Sequence, residues 1–168
     1  MKLYGAATSE GELRPGDILS RPSIVGAWHF GVWLGPYLPW MDDFGALLGL
    51  APHQTYGVLE IQKLSKQGAH AEVRRADLET FSQGSDVKVE RPGQVFPHEV
   101  MARAQNALAA GVLQYAVLGD GVVKLNCEHL ARWVATGVSR SLQVDRAKDI
   151  GIAASAIVVL ILAARLGG

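Results

Sequence analysis

The feature that most constrains the fold of this chain is a series of short strand-like segments in its first 90 residues. Each segment is rich in apolar residues and is separated from the next by Gly or Pro, which is typical of strands joined by turns. The longer helical patterns come after these segments. This order predicts an α+β fold, with an antiparallel sheet and helices packed against it. The predicted strands are Asp17 to Ser20, Phe30 to Leu34, Val58 to Ile61, Ala71 to Arg75 and Val87 to Glu90.

Two longer helices are predicted in the second half of the chain. Pro97 opens the first, which continues to about Ala110, and Gly111 ends it. The second begins at Cys127 and ends at Gly137, which stands where a C-cap glycine would. Residues at i, i+3, i+4 and i+7 give this helix one apolar face, and they are Cys127, Leu130, Ala131 and Val134. A shorter helical turn is predicted at residues 76–81.

Cys127 is the only cysteine of the chain, and it lies in the first turn of the second predicted helix. Unpaired backbone N–H groups and the helix dipole at that position favour a thiolate over a thiol. Because a thiolate can attack carbonyl carbon, Cys127 is a candidate nucleophile. The alternative is a small buried residue of the core, since free cysteine is among the most buried residue types.

A thiol nucleophile needs a general base, and His29 is the candidate among the five histidines. His29 opens a short apolar run, residues 29–35, that predicts a buried strand, and a side chain at the start of such a strand can project into a cleft. His129 lies about 200° around the helix from Cys127, so we expect it to anchor the helix. The remaining histidines are predicted in a loop, a polar turn and the start of a helix, and they are His53, His70 and His98.

Three sequence blocks together resemble the lecithin:retinol acyltransferase-like family. They keep the family's order, and with the segment at 136–144 the resemblance covers residues 13 to about 145. It implies the circularly permuted, papain-related fold of the NlpC-type superfamily, with a nucleophile at a helix N-terminus, and phospholipase or acyltransferase activity. It also implies Cys127 as nucleophile and His29 as base. The blocks are Arg14-Pro15-Gly16-Asp17-Ile18, His29-Phe30-Gly31-Val32-Trp33-Leu34-Gly35 and Asn126-Cys127-Glu128-His129-Leu130.

The same resemblance implies a third polar residue on the strand next to that of His29, commonly a second histidine that orients the first. In this chain Glu60 falls at the matching place. A carboxylate can accept the other ring N–H of His29 and fix its tautomer. Two alternatives stay open: Glu60 is a surface residue of an edge strand, or His53 supplies the third group.

Composition limits the other classes of function. The chain has 168 residues, 16 basic and 16 acidic residues and no net charge, so one domain with an appendage is expected and nucleic acid is not an expected partner. One cysteine excludes an internal disulfide. Without Cys or His clusters at metal-ligand spacing we expect no metal and no cofactor. The N-terminal residues lack an apolar core, so no cleavable signal peptide is expected.

An uncharged apolar run occupies residues 150–164 near the C-terminus. As a helix it would be about 22 Å long, short of the ~30 Å of a hydrocarbon core, although Arg165 could snorkel. The run is apolar on all sides, and basic residues precede it, as the positive-inside rule requires of a cytoplasmic domain. We therefore expect a domain at 1–145 and a membrane anchor within 146–168, with the domain on the cytoplasmic side. The alternative is a buried terminal helix.

The segment from Pro36 to Tyr56 separates His29 from the strand predicted to pair with it. Trp40, Phe44 and Leu47 are spaced as on a helix. Two interpretations are equally open: a flap over the cleft that meets lipid through its aromatic face, or a short helix that fills core.

Three functions are consistent with these patterns. The first is a thiol enzyme that acts on phospholipids or other acyl-lipids, in which Cys127, His29 and Glu60 act as nucleophile, base and orienting group. The second is an NlpC-type cysteine peptidase or amidase, which would use the same Cys–His pair. The third is a non-catalytic membrane-associated module, which a buried Cys127 or a distant His29 would favour.

Overall fold

The computed structural model describes residues 1–23, 28–36, 56–64, 70–114, 126–142 and 145. Within them, seven strands form one sheet in the order β1-β6-β2-β3-β4-β5-β7. The strands are β1 (Leu3–Gly5), β2 (Ile18–Pro22), β3 (Trp28–Gly35), β4 (Gly57–Lys63), β5 (His70–Ala76), β6 (Val87–Glu90) and β7 (Val112–Gln114). The helices are a 3₁₀ turn (Glu10–Glu12), α1 (Leu78–Ser82), α2 (Pro97–Ala110) and α3 (Cys127–Thr136).

The α+β class predicted from the sequence is confirmed, with one correction to the sheet. Neighbouring strands are antiparallel except β1 and β6, which run parallel. The sheet is therefore mixed and not wholly antiparallel. The parallel pair arises because β1, which the sequence pattern did not predict, joins the sheet beside a strand more than 80 residues away, with Leu3 opposite Val87.

Each face of the sheet carries its own apolar core. Side chains alternate between the faces along a strand, so Phe30 and Val32 of β3 face α2 and α3, whereas Trp33 faces α1. Phe81 of α1 is fully buried on this second face. The helical face also includes the predicted apolar side of α3, namely Cys127, Leu130, Ala131 and Val134.

Gly31 lets Phe81 approach the middle of β3. A Cβ atom at Gly31 would lie 2.5 Å from Val58 Cγ1 and 2.9 Å from Phe81 Cε2, closer than real Cβ contacts. The missing side chain therefore gives the aromatic ring a place beside the start of the strand, where His29 lies. This explains the glycine of the His-Phe-Gly block by packing and not by chemistry.

The first sequence block, residues 14–18, is the turn that leads into β2, and its buried Asp17 pairs with Arg91, the residue after β6. Asp17 is 1% exposed and accepts a hydrogen bond from the backbone N–H of Arg14 at 2.9 Å. It also accepts two hydrogen bonds from the guanidinium of Arg91, from Nε and from Nη2, each at 2.8 Å. A paired and hydrogen-bonded carboxylate can be buried without an unsatisfied charge. The block thus holds the sheet together and lies outside the cluster of candidate site residues.

Candidate active site

Cys127 is the first residue of α3, and the residues around it in the sequence block fix that helix end. Asn126 is the N-cap: its side-chain oxygen accepts the N–H of His129 at 2.9 Å, and the His129 ring accepts the N–H of Asn126 at 3.4 Å. This reciprocal arrangement is a capping box. Gly137 ends the helix in the left-handed conformation, as predicted. His129 therefore anchors the helix, as expected, and is not aimed at the sulfur.

Glu128 ties the same helix end to the rest of the domain. Its carboxylate is 1% exposed and accepts hydrogen bonds from Ser141 Oγ at 2.7 Å and from Arg132 Nε at 3.0 Å. Arg132 also pairs with Glu90 of β6, at 3.0 Å. Because each carboxylate accepts hydrogen bonds from a donor, the free-energy cost of burying this network is low. The network therefore fixes the start of α3. The sequence analysis missed this network. The i,i+4 spacing of Glu128 and Arg132 was the available signal, but Glu90 lies 42 residues from Arg132 and only the fold brings the two together.

His29 lies near Cys127. It is the second residue of β3, and a favourable interaction with the Cys127 side chain helps to raise the pKa of its imidazole. The thiol is also 3.8 Å from the carbonyl oxygen of Trp28, the residue before His29. Phe81 packs against the imidazole with ring centroids 5.6 Å apart. The carbonyl oxygen of Trp28 therefore contacts the sulfur, and the Phe81 ring contacts the imidazole, both near the start of β3.

Glu60 lies on β4 and contacts the other side of the same imidazole. His29 Nε2 donates to Glu60 Oε2 at 2.8 Å, which leaves Nδ1 for the sulfur. The carboxylate is 3% exposed, so the alternative that Glu60 is a surface residue is wrong. The alternative third residue, His53, lies outside the described residues.

Arg74 completes this series of contacts, and the sequence analysis missed it. It lies on β5 directly opposite Glu60 and donates from Nε at 2.9 Å and from Nη2 at 2.7 Å to Glu60 Oε1. Each carboxylate oxygen thus has its own cationic partner. A strand arginine that follows a predicted strand glutamate was the available signal, but the strand register that sets Arg74 opposite Glu60 cannot be read from the sequence.

The contacts shift the pKa values of the base and its carboxylate partner in opposite directions. Burial lowers the pKa of His29, but the hydrogen bonds and negative charges of Cys127 and Glu60 outweigh burial and raise it from 6.5 to about 9. Burial raises the pKa of Glu60, but His29 and Arg74 outweigh this and hold it below its usual value. At neutral pH the site therefore favours a charged imidazolium between a carboxylate and the sulfur.

Two further histidines of the described residues, His70 and His98, lie elsewhere on the surface. His70 begins β5 and is exposed, not in the predicted polar turn, because β5 starts one residue earlier than expected. His98 opens α2 as expected, also exposed. Cys127 itself is 4% exposed, as the alternative of a core cysteine predicts. The segment 37–55 and the residues from 146 onward lie outside the described residues, and no described helix has the length and hydropathy to cross a bilayer.

The fold and the site together define a class: an α+β protein with a cysteine as the first residue of a helix, near a strand histidine that hydrogen-bonds to a buried carboxylate. Comparison with known proteins gives the family. The family model for lecithin retinol acyltransferase matches residues 11–140, which include Cys127, His29 and Glu60. The human protein phospholipase A and acyltransferase 4 is 28% identical over 163 residues, which cover 94% of this chain and 90% of that relative. The chain belongs to the lecithin retinol acyltransferase family.

Proposed function

We propose that this protein is a thiol-dependent acyl-lipid enzyme, a phospholipase A or an acyltransferase, that works through an acyl-cysteine intermediate. The observation that carries the proposal is the placement of His29 between Glu60, to which it hydrogen-bonds at 2.8 Å, and Cys127, the first residue of α3, whose charge helps to raise the pKa of His29. Family membership and the name of the human relative, which describes both activities, support an acyl-lipid as the substrate.

In the first half of the proposed reaction, the Cys127 thiolate attacks the ester carbonyl carbon of a glycerophospholipid. A new C–S bond forms, and the carbonyl electrons move to its oxygen. The ester C–O bond then breaks, and the His29 imidazolium gives its proton to the departing alcohol oxygen. The products are a lysolipid and an acyl thioester on Cys127. The pKa of His29, raised to about 9, keeps that proton available at neutral pH.

In the second half, an acceptor attacks the thioester while His29 takes its proton. Water as acceptor gives a free fatty acid, and an amine or hydroxyl gives an acylated lipid. The C–S bond breaks, and the thiolate and the imidazolium are regenerated. Glu60 orients the ring through Nε2 in both halves, and Arg74 holds Glu60. The backbone N–H of Cys127, among the first of α3, can donate to the oxyanion in each half.

Two features of the whole chain are part of the same proposal. The order of the site residues, with His29 and Glu60 on strands that precede the cysteine helix, is the order expected of a permuted papain-like fold. We also propose that residues 150–164 anchor the protein to a membrane with the domain on the cytoplasmic side, which would hold the site close to its substrate.

Incubation of the protein with a phospholipid of labelled acyl chain, followed by intact-protein mass measurement, tests the proposal. We expect one acyl group on Cys127, no adduct in Cys127→Ala and a slow, weak adduct in His29→Ala. His98→Ala is a matched control, because His98 is exposed on α2 and should acylate at the wild-type rate. Free fatty acid as product indicates a phospholipase, and an N- or O-acylated lipid indicates an acyltransferase.

The same assay separates the two other functions. A peptidase would use the same Cys–His pair but would cleave amides and leave phospholipid esters intact. The burial of Cys127 is the one observation that suits a non-catalytic module. If the wild-type protein forms no acyl adduct with any ester or amide, the enzyme proposal is wrong and the module is the better account.

A further inference from the structure

Arg21 is a buried arginine beside the site that none of the chemistry above uses. It lies on β2 directly opposite His29 on β3, so the two side chains share one face of the sheet. Glu60 lies on this face too, on the other side of His29, because its direct partner is Gly31, two residues beyond His29. Arg21 is 8% exposed. It therefore borders the imidazole on the side that Glu60 does not occupy.

Most hydrogen-bonding capacity of this guanidinium is unused within the described residues. An arginine has five N–H donors. Nη1 donates to the carbonyl oxygen of Pro22 at 3.3 Å, whereas Nε is buried and has no partner. None of the ion pairs among the described residues includes Arg21. Glu60, the carboxylate on its face of the sheet, is already shared between His29 and Arg74.

Packing accounts for only part of the cost of burying this charge. The guanidinium carbon lies 5.7 Å from the centroid of the Phe81 ring, the ring that also packs against His29. A cation over an aromatic face is attracted to it. A buried charge without an ionic partner nevertheless remains unfavourable, and Arg91, which pairs with the buried Asp17, shows the usual solution in this domain.

The nucleophile is close enough to act on Arg21 electrostatically. Burial lowers the pKa of Arg21, and the negative charges of Glu60 and Cys127 oppose that shift. Attack by the sulfur places negative charge on an oxygen one bond from the attacked carbon. An anion that forms or binds at Cys127 therefore lies in the field of an arginine whose donors are free to meet it.

We propose that Arg21 donates hydrogen bonds to an anionic oxygen of the bound acyl-lipid, given that the protein is the acyl-lipid enzyme proposed above. Two substrate oxygens have this chemistry. One is the carbonyl oxygen that becomes negative when Cys127 attacks, and the other is a phosphate oxygen of the head group. Arginine, with a planar fork of donors, suits either oxygen better than lysine does.

The test measures the rate of first acylation of Cys127 with a glycerophospholipid and with a diacylglycerol that carries the same acyl chains but no phosphate. Arg21→Met keeps the apolar stem and removes the donors, and we expect acylation by the phospholipid to fall about 10²–10³-fold. Arg21→Lys keeps the positive charge but lacks the planar fork of donors, so its acylation rate should lie between those of the wild-type protein and Arg21→Met. Iodoacetamide alkylation of Cys127, which builds no oxyanion, reports only the loss of the Arg21 charge near the thiolate and should fall far less than acylation in both variants.

Arg75 provides the matched control. It is also an arginine over an aromatic ring, 5.2 Å from the centroid of Tyr56, and burial lowers its pKa too, but its electrostatic partner is Tyr56 and not Cys127. Arg75→Met should leave acylation unchanged. If it slows acylation as much as Arg21→Met does, the effect of Arg21 comes from general packing, and the proposal is wrong.

The outcomes separate the two oxygens and separate this proposal from the function on which it rests. Equal loss with both lipids assigns Arg21 to the oxyanion, and loss with the phospholipid alone assigns it to the phosphate. The role of Arg21 is overturned if Arg21→Met acylates at the wild-type rate, or if its alkylation rate falls as much as its acylation rate. The enzyme proposal stands in either case. If Arg21→Met does not fold, Arg21→Lys decides by the same criteria. If the wild-type protein acylates with neither lipid, both proposals fail.

Discussion

Glu60 is bound by a cation on each of its oxygens, His29 on one and Arg74 on the other. The resemblance to the family led us to expect a second histidine at this place, which would orient the base without a formal charge. A carboxylate adds negative charge next to the imidazole and so stabilises its protonated form. Arg74 keeps the carboxylate ionised. The Glu60 carboxylate therefore makes the His29 ring more basic.

Substitutions of Glu60 test that role. Glu60→Gln keeps a hydrogen-bonding group but removes the charge, and Glu60→Ala removes both, so Glu60→Ala should slow single-turnover acylation more. We expect the loss from Glu60→Gln to be about a hundredfold smaller than that from Cys127→Ser or His29→Ala, because the orienting member of such triads contributes less. His53→Ala should cost little. If His53→Ala instead matches His29→Ala while Glu60→Ala stays near wild type, the third group is His53.

The raised pKa of His29 predicts how stability and activity depend on pH. The folded state binds the proton more tightly than the unfolded chain, so His29 stabilises the fold fully below pH 6.5, and this contribution is lost as the pH rises through about 9. Acylation should decline over the same upper range, since the leaving group then lacks its proton. Histidine resonances followed by NMR during titration give the measurement. Cys127→Ala and Glu60→Gln should each lower the pKa of His29, and an unchanged value in both would contradict this assignment.

At the scale of the elements, helix ends were the features that the sequence predicted best. Both bounds of α2 follow from Pro97 and Gly111, and those of α3 from Cys127 and Gly137. Capping chemistry is local, so it can be read from a few neighbouring residues. The five predicted strands are also present, each within a few residues of its predicted bounds. Two further strands, β1 and β7, went unpredicted because three residues carry no pattern and are stabilised by distant partners.

The N-cap of α3 joins helix stability to the position of the candidate nucleophile. Asn126 caps the helix through its oxygen and donates through Nδ2 to Ser141 at 3.1 Å. Asn126→Ala should cost about 1 kcal/mol for the cap and more for the buried Ser141 left without that donor. Asn126→Ser is the matched variant, because a hydroxyl can cap but is too short to reach Ser141. Denaturant unfolding measures both, and equal losses would mean that the cap alone matters.

At the scale of the molecule, the sequence pointed to three residues of the candidate site but not to what surrounds them. Each of the three had its own signal. The start of a helix pointed to Cys127, the start of a strand to His29, and the family resemblance to Glu60. The register that sets Gly31 opposite Glu60 could not be predicted, since residues 36–56 separate the two strands. Arg21 and Arg74 were missed for a related reason: an isolated strand arginine is typical of an exposed face, and only tertiary packing buries one against Phe81 or pairs it with Glu60.

The last prediction concerns residues 146–168, which follow the part of the chain that matches the family model, residues 11–140. If the apolar run at 150–164 binds the bilayer and contributes nothing to the core, deletion of residues 150–168 should leave a domain that folds and whose Cys127 reacts with thiol probes. The truncated protein should no longer sediment with phospholipid vesicles, because about 22 Å of apolar helix supplies the hydrophobic contact. The full-length chain is the control. A truncated protein that precipitates, or that loses its cooperative thermal transition, would place the run in the core and end the anchor hypothesis, since a hydrophobic surface would then have been uncovered.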